Sequence, residues 1–294
     1  MDQELTAFIT EKEKLITDEL IRKVSDLSIP NRLKESMIYS LEAGGKRIRP
    51  LLMIASCEAY GGSHQQVLHT ALALEMIHTY SLIHDDLPSM DNDDIRRGKP
   101  TNHRKFDEAT AILAGDALLT YSFELIATDQ QLTEQQKIYI IQRLAEASGP
   151  KGMVAGQSLD IEAENKTILL EDLERIHQLK TGELLCFAIE IGAYIGGANN
   201  AQLQAIKKFA AYLGLIFQVQ DDILDVTGNV EQIGKPVGSD EQNSKSTYPK
   251  LLGLEGAIEK KQLYVEKAKK LLQEASASHG LLDQFLIYIS NRIS

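Results

Sequence analysis

The chain has no unbroken run of about 18 apolar residues, the length a membrane-spanning helix needs. No span is therefore expected in its 294 residues. Its first residues, Met1-Asp2-Gln3-Glu4-Leu5, lack the basic-then-apolar order of a secretory signal. Cysteine is scarce. Cys57 and Cys186 are the only two, both in apolar helical contexts, and they read as reduced core thiols of a cytoplasmic protein. Positive charge is also short. A formal net charge of -11 argues against nucleic acid as a partner. Clear strand alternation is missing, as are internal repeats and low-complexity linkers. One all-α domain spanning 1–294 is the simplest organisation, and a chain this long can bury an ample core.

What the sequence does have is aspartate in two clusters. The first reads Asp85-Asp86-Leu87-Pro88-Ser89-Met90-Asp91 and the second Asp221-Asp222-Ile223-Leu224-Asp225. Each ends an apolar helical run. Asp221 and Asp225 are four apart and share a helix face. Pro88 breaks a continuing helix, so the chain turns and Asp91 folds back toward Asp85. Crowded carboxylates are unfavourable unless a cation binds between them. Grouped hard oxygens suit Mg²⁺, which takes one or two carboxylates plus substrate phosphates. For the first cluster alone a solvated acidic turn is the competing reading. Two clusters together favour a polyphosphate site.

Helical periodicity dominates the rest. Leu68 to Leu82 belong to a helix running into Asp85. One helix stops at Gly44-Gly45 and another is expected to start at Pro50. Thr110 to Thr128, Gly182 to Gly196, Ala201 to Val226 and Lys260 to Ser294 read as further helices. Several are apolar on more than one face and so belong at the centre of a bundle. The two aspartate helices then face each other across a cavity. Val230 to Pro249 is rich in Gly, Ser, Lys and Asp, and reads as a long loop of the kind used as a lid.

An acidic protein that binds phosphate must gather its positive charge locally. Lys46-Arg47-Ile48-Arg49 and Arg96-Arg97-Gly98-Lys99 do so. Glycines such as Gly45 let backbone approach a ligand, although basic residues at a helix end also suit the helix dipole. Arg96 and Arg97 offer forked donors for phosphate. His78 lies seven residues before Asp85 on nearly the same face; it is a core histidine or a phosphate contact. Lys180-Thr181 is expected to open a helix, as an anion site or with Thr181 as a simple N-cap. Gln218 sits one turn before the second cluster and needs a partner if buried. Lys235 and Lys245 fall in the candidate lid, where surface lysines are the default.

Taken together, these motifs resemble the trans-isoprenyl diphosphate synthases, the head-to-tail prenyltransferases. The resemblance is strongest to bacterial members that make farnesyl diphosphate. It covers nearly the whole chain, from Gly44-Gly45-Lys46-Arg47-Ile48-Arg49-Pro50 through both aspartate clusters, Gly156-Gln157-Ser158-Leu159-Asp160, Lys180-Thr181-Gly182 and Gly234-Lys235. It implies an all-α bundle around a deep central cavity, usually a homodimer, acting on isoprenyl diphosphates. It implies three Mg²⁺ ions, replaceable by Mn²⁺, with Asp85, Asp91 and Asp221 as direct ligands. Asp86, Asp222 and Asp225 would bind directly or through water. Arg96, Lys180 and Lys235 would hold the allylic diphosphate. Lys46, Arg49, His78 and Arg97 would hold isopentenyl diphosphate. Thr181 and Gln218 would face the reactive allylic carbon.

Product length becomes a question of pocket depth. Residues just upstream of the first cluster floor the pocket in this family. Ser81 lies directly under Asp85, and Tyr80 is rotated from it by about 140° on an ideal helix. Spacing alone leaves Tyr80 as floor or as packed core. By resemblance, a tyrosine here beside a two-residue-longer first motif implies a farnesyl product. A geranylgeranyl or longer-chain synthase shares every phosphate motif. A metal-dependent phosphohydrolase using His84-Asp85 leaves the second cluster unexplained. A non-catalytic partner subunit typically lacks aspartates that are present here.

Overall fold

The computed structural model describes residues 2–228 and 246–292. Among them the fold is all-α apart from one small hairpin. In chain order the helices are α1 (Gln3–Ser25), α2 (Asn31–Leu41), α3 (Ile48–Ala59), α4 (His64–Asp85), α5 (Asn102–Lys105), α6 (Glu108–Ala127), α7 (Glu134–Ser148), α8 (Met153–Ala163), α9 (Leu170–His177), α10 (Glu183–Gly196), α11 (Asn200–Thr227), α12 (Tyr248–Glu274) and α13 (Leu281–Asn291). A single π-helical turn, Gln178–Gly182, joins α9 to α10.

The most apolar helices take the centre. In α3, every residue from Pro50 to Cys57 is buried. Helix α4 buries residues on all sides, including Leu72, Met76 and Ile77. Helix α10 is buried almost throughout, from Leu184 to Ile195. Helix α3 packs against α4 and α10, α10 against α11, and α11 against α12. Around this centre the amphipathic helices bury one stripe each, as α1 does with Leu5, Ile16, Leu20 and Val24. Several helix starts are capped by side chains the sequence supplies. Asp107 accepts from the Thr110 N–H at 2.7 Å, and Asn199 with Gln202 forms a capping box.

The structure corrects several sequence expectations. Helix α3 starts at Ile48, two residues before Pro50; proline is tolerated in a first turn, where its missing N–H has no partner to lose. Lys180-Thr181 does not open a helix. Helical backbone runs on from His177 through Gly182, so this segment is a π-helical bulge, and Thr181 is no N-cap. The segment from Lys260 is two helices, parted by Ser276 and His279 with φ of 57° and 68°. The expected loop to Pro249 ends earlier, because Thr247 caps α12 by accepting from Lys250 N–H and Pro249 sits in its first turn. The remainder of that loop, with Lys235 and its lid role, lies outside the described residues. Finally, α6 is long and apolar enough to cross a bilayer by length and composition. No strictly apolar run was needed, since alanine, glycine and threonine dilute few charges there. Its buried stripe, including Ala111, Ala114, Leu118 and Leu125, packs on α4 within the bundle.

Candidate active site

Both aspartate clusters occupy helix C-termini. Helix α4 ends at Asp85 with Asp86 as its C-cap, and Asp221, Asp222 and Asp225 fall in the last two turns of α11. The helix dipole presents partial negative charge there, so carboxylates are doubly disfavoured and cations favoured. After α4 the chain turns at Pro88, and Asp91 N–H donates to the Asp85 carbonyl at 2.8 Å. Burial pushes the Asp85 carboxyl up to about 6; Lys180 opposes this and Asp91 adds to it.

The hairpin β1 (Ile95–Arg96) and β2 (Lys99–Pro100) follows. Its two-residue turn, Arg97-Gly98, has positive φ at both positions (52° and 74°), which suits the right-handed strand twist. This geometry separates the two arginines. Arg96 lies on the strand and grips Asp86 at 2.7 and 3.0 Å through Nε. Arg97, in the turn, has a different partner and donates to the Gly44 carbonyl.

The loop between α2 and α3 is shaped by left-handed backbone at Gly44, Gly45 and Arg47, with φ of 84°, 125° and 47°. A side chain at Gly45 would also collide with Arg97, its Cβ falling 2.5 Å from Nη1. Arg47 anchors the loop from below through a fully buried ion pair with Glu75 at 2.7 Å. Lys46 and Arg49 are thereby left facing a cavity.

That cavity, of about 580 Å³, is lined by Gly45, Lys46, Arg49, His78, Arg97 and Arg292 among others. A second cavity, of about 450 Å³, is lined by Tyr80, Ser81, Asp85, Lys180 and Thr181, with an apolar wall from Met153, Val154 and Ile161. Arg49 and His78 line both, so the two spaces meet at these residues. Burial, then the charges of Arg49, Arg97, Arg47 and Arg96, hold His78 well below the usual histidine range, and it is neutral at pH 7. The first cavity is thus strongly cationic and polar. The second has one charged rim and an apolar body.

Helix α8 supplies a support that the motif reading quoted without a role. Gly156 packs so closely on the π-helical turn that a Cβ would lie 2.2 Å from Lys180 N. One turn on, Asp160 accepts from Lys180 Nζ at 2.6 Å. Gln157 lies between them on the cavity wall. Both its amide atoms are buried with no partner among the described residues, an orphaned donor and acceptor facing ligand space.

Some expected residues are placed apart from these two cavities. Arg96 and Asp86 are spent on each other and line neither of the two. Asp222 is buried and accepts from the Tyr248 N–H at 2.9 Å. Gln218 approaches His177 Nδ1 at 3.4 Å and also lines neither. His177 stacks on Tyr248 with centroids 5.8 Å apart and lies 3.9 Å from Asp222. Sequence reasoning missed His177 and Arg292. The signal for His177 was its place three residues before Lys180. For Arg292 it was a lone cation following the apolar run of α13.

The donor set fits Mg²⁺. It is all carboxylate oxygen, and Asp86 and Asp221 each rest against a cation of the chain itself, Arg96 and Arg292. Among the described residues no three potential ligands gather into a metal cage. An ion held by one or two of these carboxylates would draw its remaining ligands from substrate phosphates.

A family model described as polyprenyl synthetase matches residues 30–285. The chain is 53% identical over 277 residues to the farnesyl diphosphate synthase of Geobacillus stearothermophilus, covering 94% of this chain and 93% of that one. It is 50% identical over 250 residues to a chloroplastic geranylgeranyl pyrophosphate synthase of Catharanthus roseus, covering 84% and 69% respectively. Among solved structures, an apo FPP/GFPP synthase from Zymomonas mobilis is similar with a TM-score of 0.82 at 38% identity, over 96% of this chain and 98% of that one.

Proposed function

The chain belongs to the polyprenyl synthetase family and is a prenyltransferase; we propose that it condenses isopentenyl diphosphate with dimethylallyl and then geranyl diphosphate, stopping at farnesyl diphosphate. One observation carries the reading. Two cavities of different character share Arg49 and His78, which suits two diphosphate substrates held side by side.

In this reading the first cavity holds isopentenyl diphosphate through Lys46, Arg49 and Arg97, with neutral His78 as a hydrogen-bonding partner. The allylic substrate lies in the second. Lys180, held by Asp160, meets its diphosphate, and its tail runs along Met153, Val154 and Ile161. Asp85, Asp91 and Asp221 would hold Mg²⁺, whose charge favours departure of the allylic diphosphate. The apolar wall keeps water from the allylic cation. The double bond of isopentenyl diphosphate, fixed across the shared wall, attacks that cation. The released diphosphate takes the proton, so no side chain has to be a general base.

The Geobacillus relative, a farnesyl diphosphate synthase at 53% identity and matched over 93% of its length, supports a farnesyl product. Tyr80 favours fifteen carbons: it is nearly buried, lines the second cavity and packs edge-on against His84 at 5.7 Å between centroids. The same reading includes a cytoplasmic homodimer, each copy a single catalytic domain. Helix α6 exposes Ile112 and Leu113, apolar surface a second copy would cover.

The test is diphosphate release from geranyl diphosphate with and without isopentenyl diphosphate, in Mg²⁺ or chelator. Release is expected only with both substrates and metal. Release without isopentenyl diphosphate would favour a phosphohydrolase and overturn the reading.

A further inference from the structure

Arg292, just beyond α13, reaches back to the second aspartate cluster. Its guanidinium forms an ion pair with Asp221 Oδ1 and donates to the Phe217 carbonyl at 3.1 Å. It also lies 4.0 Å from the centroid of the Phe217 ring, a cation–π contact that adds to the hold. The backbone beneath it is tied down independently. Gln220 Nε2 donates to the Arg292 carbonyl at 2.7 Å. Lys261 Nζ bridges Gln220 Oε1 at 2.7 Å and the Ser290 carbonyl at 2.9 Å. The backbone of Ser290 and Arg292 is therefore fastened to α11 by groups that do not depend on the Asp221 pair.

The two partners differ in surroundings. The Arg292 side chain is 8% exposed, whereas that of Asp221 is 44% exposed. Arg292 also lines the first cavity, beside Lys46 and Arg49. It thus stands between a carboxylate on one side and an anion pocket on the other. A guanidinium on Asp221 Oδ1 and a divalent ion on the same carboxylate repel each other, and the doubly charged ion has the stronger attraction. The guanidinium can move about its own side-chain torsions while the Gln220 bond holds its backbone.

We propose that Arg292 is a displaceable counter-cation: it occupies Asp221 before metal binds, gives up the carboxylate when a divalent ion arrives, and then turns its charge to the diphosphate in the first cavity. The inference rests on the reading of Asp221 as a metal ligand. It couples the Asp221 site to the first cavity, because the Arg292 charge, already at the cavity wall, is neutralised by Asp221 until metal replaces it there. By linkage, anything that draws Arg292 into the pocket raises metal affinity equally.

The test is Mn²⁺ binding in the presence of inorganic diphosphate, which supplies the missing phosphate ligands, followed by electron paramagnetic resonance, for wild type, Arg292→Gln, Arg292→Met, Arg292→Lys and Asp221→Asn. The methionine keeps apolar contact with Phe217 should glutamine disturb the fold, and circular dichroism confirms that each variant is folded. Removing the competitor should tighten Mn²⁺ binding by roughly threefold or more, the scale of a partly exposed ion pair. Arg292→Lys should stay close to wild type, and Asp221→Asn should bind more weakly. Weaker binding in Asp221→Asn with unchanged or weaker binding in both neutral Arg292 variants overturns the inference alone. Unchanged binding in Asp221→Asn overturns the metal reading of Asp221 and the inference with it.

Discussion

Lys180 Nζ donates to Asp160 Oδ2 at 2.6 Å, joining the π-helical turn to α8 and holding an ammonium where its charge acts on Asp85. The partners come from segments twenty residues apart, and Gly156 lets those segments touch. Lys180→Ala should lower kcat/KM by ~10²–10³, the scale for losing one preorganised charge on a leaving group. Asp160→Asn keeps the lysine but loosens it, and should cost less, up to ~10². Steady-state kinetics with geranyl diphosphate varied checks both. A larger loss in Asp160→Asn than in Lys180→Ala would contradict the arrangement.

Arg96 and Arg97 should separate in kinetics, because Arg96 is held on Asp86 whereas Arg97 lines the first cavity. Arg97→Ala should mainly raise the KM of isopentenyl diphosphate. Arg96→Ala should mainly affect the allylic substrate, acting through the freed Asp86 carboxylate as well as any direct contact. Equal effects of each variant on both substrates would refute the division.

The helical fold was legible in sequence because α4, α6, α10 and α11 carry apolar residues at helical spacing over long stretches. Helix ends were read less well. The π-helical turn at Lys180-Thr181 has no glycine or proline before it to mark it, and it depends on α8 packing from elsewhere in the chain. The residues assigned to isopentenyl diphosphate, Lys46, Arg49, His78 and Arg97, do line one cavity. They were legible because glycines and clustered cations are local features. The pairing of Arg292 with Asp221 was not, since only the fold brings residues so distant in sequence together.

His78 makes folding stability depend on pH. Burial and the surrounding arginines hold it neutral, below its ordinary value of 6.5. As pH falls below 6.5, the unfolded chain takes up a proton that the folded chain refuses, so stability drops. Above 6.5 both states are neutral and the effect vanishes. His78→Gln should therefore lose less stability than wild type between pH 7.5 and 5.5 in urea unfolding. Parallel losses in the two proteins would contradict a neutral His78.

The Arg47–Glu75 pair should be structural. Both side chains are fully buried, so Glu75→Gln strands a guanidinium and should cost about 3–5 kcal/mol. The loop carrying Lys46 and Arg49 loses its anchor, and the KM of isopentenyl diphosphate should rise in whatever folds. A thermal midpoint equal to wild type would show that the pair is dispensable.

Chain length gives the most direct test of the central claim. Wild-type protein, labelled isopentenyl diphosphate and dimethylallyl diphosphate are incubated with Mg²⁺, and products are resolved by carbon number, with Tyr80→Ala run in parallel. Wild type should stop at fifteen carbons. Tyr80→Ala should extend to twenty or more, at a stability cost of about 3–5 kcal/mol for the cavity it leaves. A wild-type product of twenty carbons or longer would contradict the farnesyl assignment, and a folded Tyr80→Ala variant that still stops at fifteen would remove Tyr80 as the floor.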